Sequence, residues 1–320
     1  MPARGSVVVI DLNMRAQPEH AARAIAKRAF SSRNARRARI LYKKIDSTLR
    51  GHISAELAAS RRALGRRPVV FAPAFPAQGR LTRDARLVLR GKSCPGDLRA
   101  LMTKAGLPAT HVDLASIRAP QLSARFRSAL RVGARALICD ATSDPDLDRI
   151  ARAGLALRPR PLFVGSAGLA RALARTLPRC NARPAAAAER RPIVTVVGSA
   201  SPVSARQARR LASDPSSVLV QLVWTRETAK RDIPTLRRLG RVVAEAAPRA
   251  HLVLTGGETA RAVLGARRIG DYTLRGEVEP GVPFGMARDG TLICTKAGAF
   301  GGADTLASCV ARLDREMKKT

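Results

Sequence analysis

The sequence predicts a two-domain α/β fold with mainly parallel sheets, and three observations carry that prediction. A length of 320 residues exceeds one average domain, and 46% hydrophobic residues supply enough apolar surface for a sizeable core. Apolar runs of four to eight residues, rich in β-branched types, alternate with Ala/Arg/Leu stretches of helical period, the sign of βαβ units. Residues 181–192 form a short Pro-bounded break with neither strand pattern nor helical period, so the domain boundary is placed there, between residues 1–185 and 191–320.

Taken in order, the strands of the first half are expected at 7–10, 39–43, 68–71, 136–139 and 162–164, each a short apolar run. Helices over 18–30, 53–64, 121–132 and 168–177 fall between them or after them. In the second half, strands at 193–197, 217–222, 252–254 and 291–294 alternate with helices at 204–211, 236–246 and 258–264.

Charge narrows the function classes. Lys and Arg number 58 against 24 Asp and Glu, a net +34 that would attract any polyanion at low salt. Only nine of these are Lys, and the Arg residues are scattered among Ala through the whole chain, which reads as compositional bias and not as a basic stripe for nucleic acid. The basic surface favours small acidic or phosphorylated ligands. Three per cent aromatics argues against base- or sugar-stacking platforms. Five cysteines without CxxC or Cys/His spacing read as reduced thiols, with no structural metal site. No apolar run reaches the ~18 residues needed to span a bilayer, and the first residues carry no signal-peptide pattern, so a cytoplasmic location is expected. The histidines at 20, 52, 111 and 251 make no spaced metal pair, and His251, just before a buried-type strand, reads as structural. No GxSxG elbow supports a hydrolase.

The densest chemistry is Lys43-Lys44-Ile45-Asp46-Ser47-Thr48-Leu49-Arg50-Gly51-His52, directly after a strand and before a helix, where open α/β sheets hold ligands. Arg50 could grip a carboxylate, Lys44 supply a point charge and Asp46 accept a hydroxyl proton; alternatively, Asp46 or Ser47 merely caps the next helix. Pro73-Ala74-Phe75-Pro76-Ala77-Gln78-Gly79-Arg80 makes a rigid loop at the same sheet edge, with Gln78 and Arg80 as its polar tip, either a binding loop or a structural turn. Gly165-Ser166-Ala167-Gly168 is read as a tight strand-to-helix turn in preference to an anion site.

Three Gly/Ser loops each follow a strand of the second half: one at Gly198-Ser199, with Ser204 expected to cap the next helix, one at Thr255-Gly256-Gly257-Glu258-Thr259, and one at Lys296-Ala297-Gly298. Paired glycines let backbone amides approach a phosphate at a helix N-terminus. Three such turns in one domain make a nucleotide site the leading expectation, although none is a Walker A or GxGxxG fingerprint.

KKIDSTLRG, PAFPAQGR, GSAGLA, GSASPVSARQ, TGGETA, PGVPFG and KAGAFGG, in that order over residues 7–306, resemble the four-carbon acid sugar kinase family, whose members phosphorylate threonate, erythronate or oxo-tetronate-type acids with ATP. The resemblance implies an N-terminal substrate domain, a C-terminal nucleotide domain and catalysis in a cleft between them, with ATP and Mg²⁺ required. It assigns Asp46, Ser47 and Arg50 to the acid-sugar site and Ser199, Gly256, Gly257, Glu258, Thr259 and Gly298 to the ATP site. Asp46 and Lys44 are the expected catalytic pair, with Ser47, Thr48, Arg50, Gln78 and Arg80 on the substrate. Family members usually open with a strand and a DDxTGA-like loop ahead of the segment matching residues 7–15, and this chain starts after them; residues 204–255 are also shorter than in relatives, and His52 stands where relatives often have Asn. The expected partner is a small sugar acid, without specific nucleic acid or membrane, and self-association is left open. The rival readings are a degenerate relative that binds without turnover and a basic nucleic-acid-binding protein; the latter predicts retention on DNA that survives beyond ~0.2 M salt.

Overall fold

Short parallel strands, each leading into a helix, build both halves of the chain. The computed structural model describes residues 7–14, 17–65, 67–89, 91–177, 188–212, 218–222 and 233–318. The expected break at 181–192 lies outside the described residues up to 187, as does the predicted strand start at Ser217. The chain divides into two compact units, Met1–Cys180 and Asn181–Thr320.

In the first unit α1 (Glu19–Ser31) and α2 (Arg33–Arg37) precede β1 (Leu41–Lys44), α3 (Ile53–Leu64) and β2 (Val69–Ala72). An antiparallel sheet follows, β3 (Arg80–Arg83), β4 (Arg86–Leu89) and β5 (Lys92–Asp97), before α4 (Leu98–Lys104) and β6 (Ala109–Val112). The unit closes with α5 (Leu114–Arg118), α6 (Leu122–Arg131), β7 (Ala136–Cys139), α7 (Asp144–Leu155), β8 (Leu162–Gly165) and α8 (Ala167–Thr176). The main sheet runs β1-β8-β2-β7-β6 with every pair parallel, so all five carboxyl ends lie at one edge.

Both faces of this sheet are covered. Val70, Leu137 and Phe163 enter one core with Leu147, Ile150 and Leu169 from the helices, while Val69, Phe71, Ile138 and Val164 enter the other with Leu57, Leu98 and Met102. Period-2 alternation on a sheet buried twice explains why β2, β7 and β8 read as unbroken apolar runs. Full burial of each large side chain contributes about 1.5–3 kcal/mol.

The second unit contains β9 (Ile193–Val197), α9 (Pro202–Leu211), β10 (Val218–Gln221), α10 (Ile233–Ala246), β11 (His251–Thr255), α11 (Gly257–Ala266), β12 (Tyr272–Glu279), β13 (Val282–Ala287), β14 (Leu292–Lys296) and α12 (Thr305–Met317). Its sheet runs β10-β9-β11-β14-β13-β12: four parallel strands extended by an antiparallel hairpin. The Pro280-Gly281 turn, with Gly281 at φ 85°, joins β12 to β13, a connection that only antiparallel neighbours permit. Beyond the strands expected from sequence, the structure adds β12 and β13 here and β3 to β6 in the first unit.

The strand expected at 7–10 does not form. Val7, Val8, Val9 and Ile10 are exposed and have no ladder partner among the described residues. β-branched side chains favour a strand only where a neighbouring strand and a core receive them.

Candidate functional site

In the first unit, the loops after β1, β2, β7 and β8 share the carboxyl edge of the parallel sheet. The loop between β1 and α3 is folded by Asp46: its Oδ1 accepts from the Thr48 amide (2.8 Å) and the Thr48 hydroxyl (2.6 Å), and its Oδ2 accepts from Arg50 Nη2 (2.9 Å). These hydrogen bonds and the Arg50 charge overcome the effect of burial and hold the carboxyl at about pKa 2. The helix-cap alternative is overturned, because α3 starts at Ile53 with His52, and not Asp46 or Ser47, at its N-cap position. Leu49, at φ 61°, completes the reversal.

The loop after β2 is fixed to this one. Pro76–Gln78 makes a single 3-10 turn closed by Gly79, and Phe75 bridges to Arg80. Arg80 Nη1 then donates to the nearly buried Ser47 hydroxyl, which ties the two predicted loops together. Lys44 and Gln78 are exposed at the same edge. Thus Asp46 gathers Thr48 and Arg50, and its neighbour Ser47 holds Arg80, in two adjoining hydrogen-bonded sets on one loop.

The Gly165-Ser166-Ala167-Gly168 segment is a structural turn. Ser166 Oγ donates to Ala74 O (2.9 Å) and accepts from Gly168 N, Tyr42 donates its phenol to Ser166 O, and a Cβ on Gly168 would sit 2.4 Å from Ala74 O. The Asp84-Ala85 turn of the β3–β4 hairpin, with φ of 53° and 57°, donates its amides at 2.7 and 3.2 Å to Asp140 at the end of β7. His111 Nε2 also meets Asp140 (2.8 Å), so this buried carboxylate anchors the hairpin that begins with Arg80.

In the second unit, the turns after β9, β11 and β14 meet, because their strands are adjacent and parallel. A Cβ on Gly298 would lie 2.0 Å from Ser199 Oγ, and one on Gly198 would lie 2.4 Å from Thr259 Oγ1. Gly256 (φ 97°) precedes the ten-residue α11 and lies against Ser199, and the space beside Gly257 is open. Glu258 lies in the first turn of α11, 3.9 Å from Arg261. Ser204 does not cap α9: Ser201 precedes that helix, and the buried Ser204 hydroxyl meets Thr255 Oγ1 (3.1 Å) and donates to Gly298 O (2.7 Å).

Sequence reasoning missed two supports. Lys43 and Glu56 form a buried ion pair that ties the end of β1 to the first turns of α3, on either side of the Asp46 loop. Period 2 from Leu41 places Lys43 inward, and the Ile53, Glu56, Leu57 spacing places Glu56 on the apolar face of α3, so the signal was present. Lys296, also buried, donates to the carbonyls of Ala297, Gly298 and Phe300.

Residues 2–173 match a family model described as a sugar-binding N-terminal domain, and residues 227–306 match one described as a nucleotide-binding C-terminal domain. A D-threonate kinase of Cupriavidus necator is 35% identical over 95% of this chain and 87% of its own length. A D-threonate kinase of Salmonella typhimurium is 31% identical over 95% of this chain and 88% of its own. The crystal structure of a Haemophilus influenzae protein superposes with a TM-score of 0.74 at 19% identity, covering 94% of this chain and 88% of that one, a likeness of fold.

Proposed function

Because the chain belongs to the four-carbon acid sugar kinase family, we propose that it transfers the γ-phosphoryl group of ATP to a hydroxyl of a four-carbon sugar acid, D-threonate being the first candidate. It is a phosphotransferase with an alcohol acceptor. The observation that carries the nucleotide half of this reading is the meeting of three Gly/Ser turns at the open N-terminus of α11.

The amides of Gly257, Glu258 and Thr259, behind Gly256, suit a phosphate, with Ser199 and the Gly298 turn beside them. Mg²⁺ would enter with the triphosphate. When bound there it would neutralise phosphate charge.

In the first unit, Arg50 and Arg80 provide forked donors and Lys44 a point charge for the acid's carboxylate. Ser47 and Asp46 hold those arginines in place, and Thr48 completes the loop. With its pKa at about 2, Asp46 stays ionised at neutral pH and serves the acceptor hydroxyl as a hydrogen-bond acceptor. A loose phosphoryl-transfer transition state needs position and charge neutralisation more than a strong base. Gln78, exposed at the loop tip, is assigned to the sugar's hydroxyls. The free thiols of Cys94, Cys139, Cys294 and Cys309 suit a reducing cytoplasm.

A coupled ADP-release assay with Mg-ATP and a panel of four-carbon acids tests the proposal. Turnover is expected with at least one acid, D-threonate foremost. No ADP release with any of them at millimolar concentration would overturn it.

A further inference from the structure

Lys296 ends β14 inside the unit, where lysine is rarely found unless paired. Among the described residues no carboxylate lies within ion-pair distance. Instead its ammonium directs all three of its protons at main-chain carbonyls: Ala297 O at 3.0 Å, Gly298 O at 3.2 Å and Phe300 O at 3.1 Å. The Gly298 carbonyl is held a second time, by the Ser204 hydroxyl at 2.7 Å, so both of its lone pairs are engaged.

A trans peptide points its N–H opposite its C=O. Turning the carbonyls of residues 297, 298 and 300 inward on one ammonium therefore turns the amides of Gly298, Ala299 and Gly301 away from it; Glu279 and Thr305 lie against Gly301, so the amides of Gly298 and Ala299 are the pair left to a ligand. Ala299 and Gly301 are exposed, and the same loop holds Gly298 against Ser199. Outward amides in succession make an anion-binding concavity, here with a buried cation behind it.

We infer that Lys296 is a positioning residue of the nucleotide site: by gathering three carbonyls it shapes residues 297–302 into a set of outward amides, Ala299 included, that receives a phosphate of ATP. This deepens the proposed function and rests on it. The group touches no phosphate itself; it acts through the main chain, with Ser204 as its second hand on Gly298.

Steady-state kinetics of Lys296→Met and Ser204→Ala, each with Mg-ATP and D-threonate varied separately, test the inference. Lys296→Met is expected to raise KM for Mg-ATP tenfold or more, with KM for D-threonate within twofold of the parent. Ser204→Ala, which leaves the ammonium in place, is expected to raise the same constant about threefold and provides the readout should Lys296→Met not fold. An unchanged KM for Mg-ATP, or equal rises for both substrates, would overturn the positioning role while leaving the kinase reading intact. A parent protein whose thermal midpoint does not rise with Mg-ATP would overturn the kinase reading, and this inference with it.

Discussion

Both units present loops at the carboxyl ends of parallel strands, yet they hold those loops by different chemistry. The first unit uses side-chain charge: Asp46 with Arg50, Arg80 with Ser47, and Lys43 with Glu56 beneath them. The second uses main-chain approach: Gly298 against Ser199, Gly198 against Thr259, and Lys296 gathering three carbonyls. A small acid is recognised by directional cationic side chains, whose aim depends on their neighbours' charges. A triphosphate is recognised by amides, whose aim depends on backbone shape. It follows that the first site should break when a ligand-facing charge is removed and the second when its backbone shape is disturbed, above all by an added methyl group.

The largest expected effect is therefore from a methyl. Gly298→Ala would place a Cβ 2.0 Å from Ser199 Oγ, so the two turns must separate. The kcat/KM for Mg-ATP should fall at least about 100-fold, equivalent to ~2.7 kcal/mol of transition-state binding. Activity near that of the parent would show that the close approach is dispensable and would break the contrast. The counterpart in the first unit is Glu56→Ala, which strands the Lys43 ammonium in the core. Breaking a buried pair in this way costs about 3–5 kcal/mol, read by urea unfolding, whereas Lys43→Met with Glu56→Leu should recover most of the loss. A cost below about 1 kcal/mol for Glu56→Ala would mean that the pair does not support the loop.

Much of this architecture was readable in advance, and the exceptions have physical causes. The strands Val69–Ala72, Ala136–Cys139, Leu162–Gly165 and Ile193–Val197 are buried on both faces, so apolar composition alone reveals them. β3, β4 and β12 lie half-exposed, with Arg, Thr and Glu along them and bulges in the β4–β5 and β12–β13 pairings, so neither apolar run nor clean alternation survives. Residues 7–10 show the converse: composition asks for a strand and, among the described residues, no ladder takes it. At the sites, the motif loops were legible because Gly, Ser and Arg cluster there. The supports were not, since a lysine at a strand end reads as a solvated charge until alternation is followed through Leu41 and Lys43, or through Leu292, Cys294 and Lys296. Lys44, chosen first for its charge, is the exposed one of the adjacent pair.

A smaller effect separates the two sites functionally. Arg80→Ala removes the donor to Ser47 and one fork for the acid's carboxylate. KM for D-threonate should rise about tenfold, the ~1.4 kcal/mol lower end for a charge-assisted contact, with KM for Mg-ATP unchanged. An equal rise for both would mean that the Arg80–Ser47 tie supports the fold and not the acid site.

The smallest expected effect is in pH dependence, and it sharpens the contrast at a position the ligands never touch. His251 is fully buried, with its Nδ1 accepting from the Leu292 amide (3.0 Å) and its Nε2 donating to Glu189 O (3.0 Å), an arrangement that requires the neutral ring. Burial pushes its pKa below the ordinary 6.5. As pH falls below about 6.5 the unfolded chain binds a proton that the folded unit resists, so the second unit loses stability on the acid side of that value and keeps it above. Asp46 responds in the same direction but only at lower pH. Its carboxyl, at about 2 when folded, contributes fully above about pH 4 and loses that contribution between 4 and 2. Between pH 7.5 and 5, hydrogen exchange corrected for intrinsic chemistry should therefore quicken in β9, β11 and β14 while β1 and β2 hold, and His251→Gln should remove the difference. Exchange that quickens first in β1 and β2 would show that the charged network of the first unit is the more acid-sensitive of the two, against the order these side chains predict.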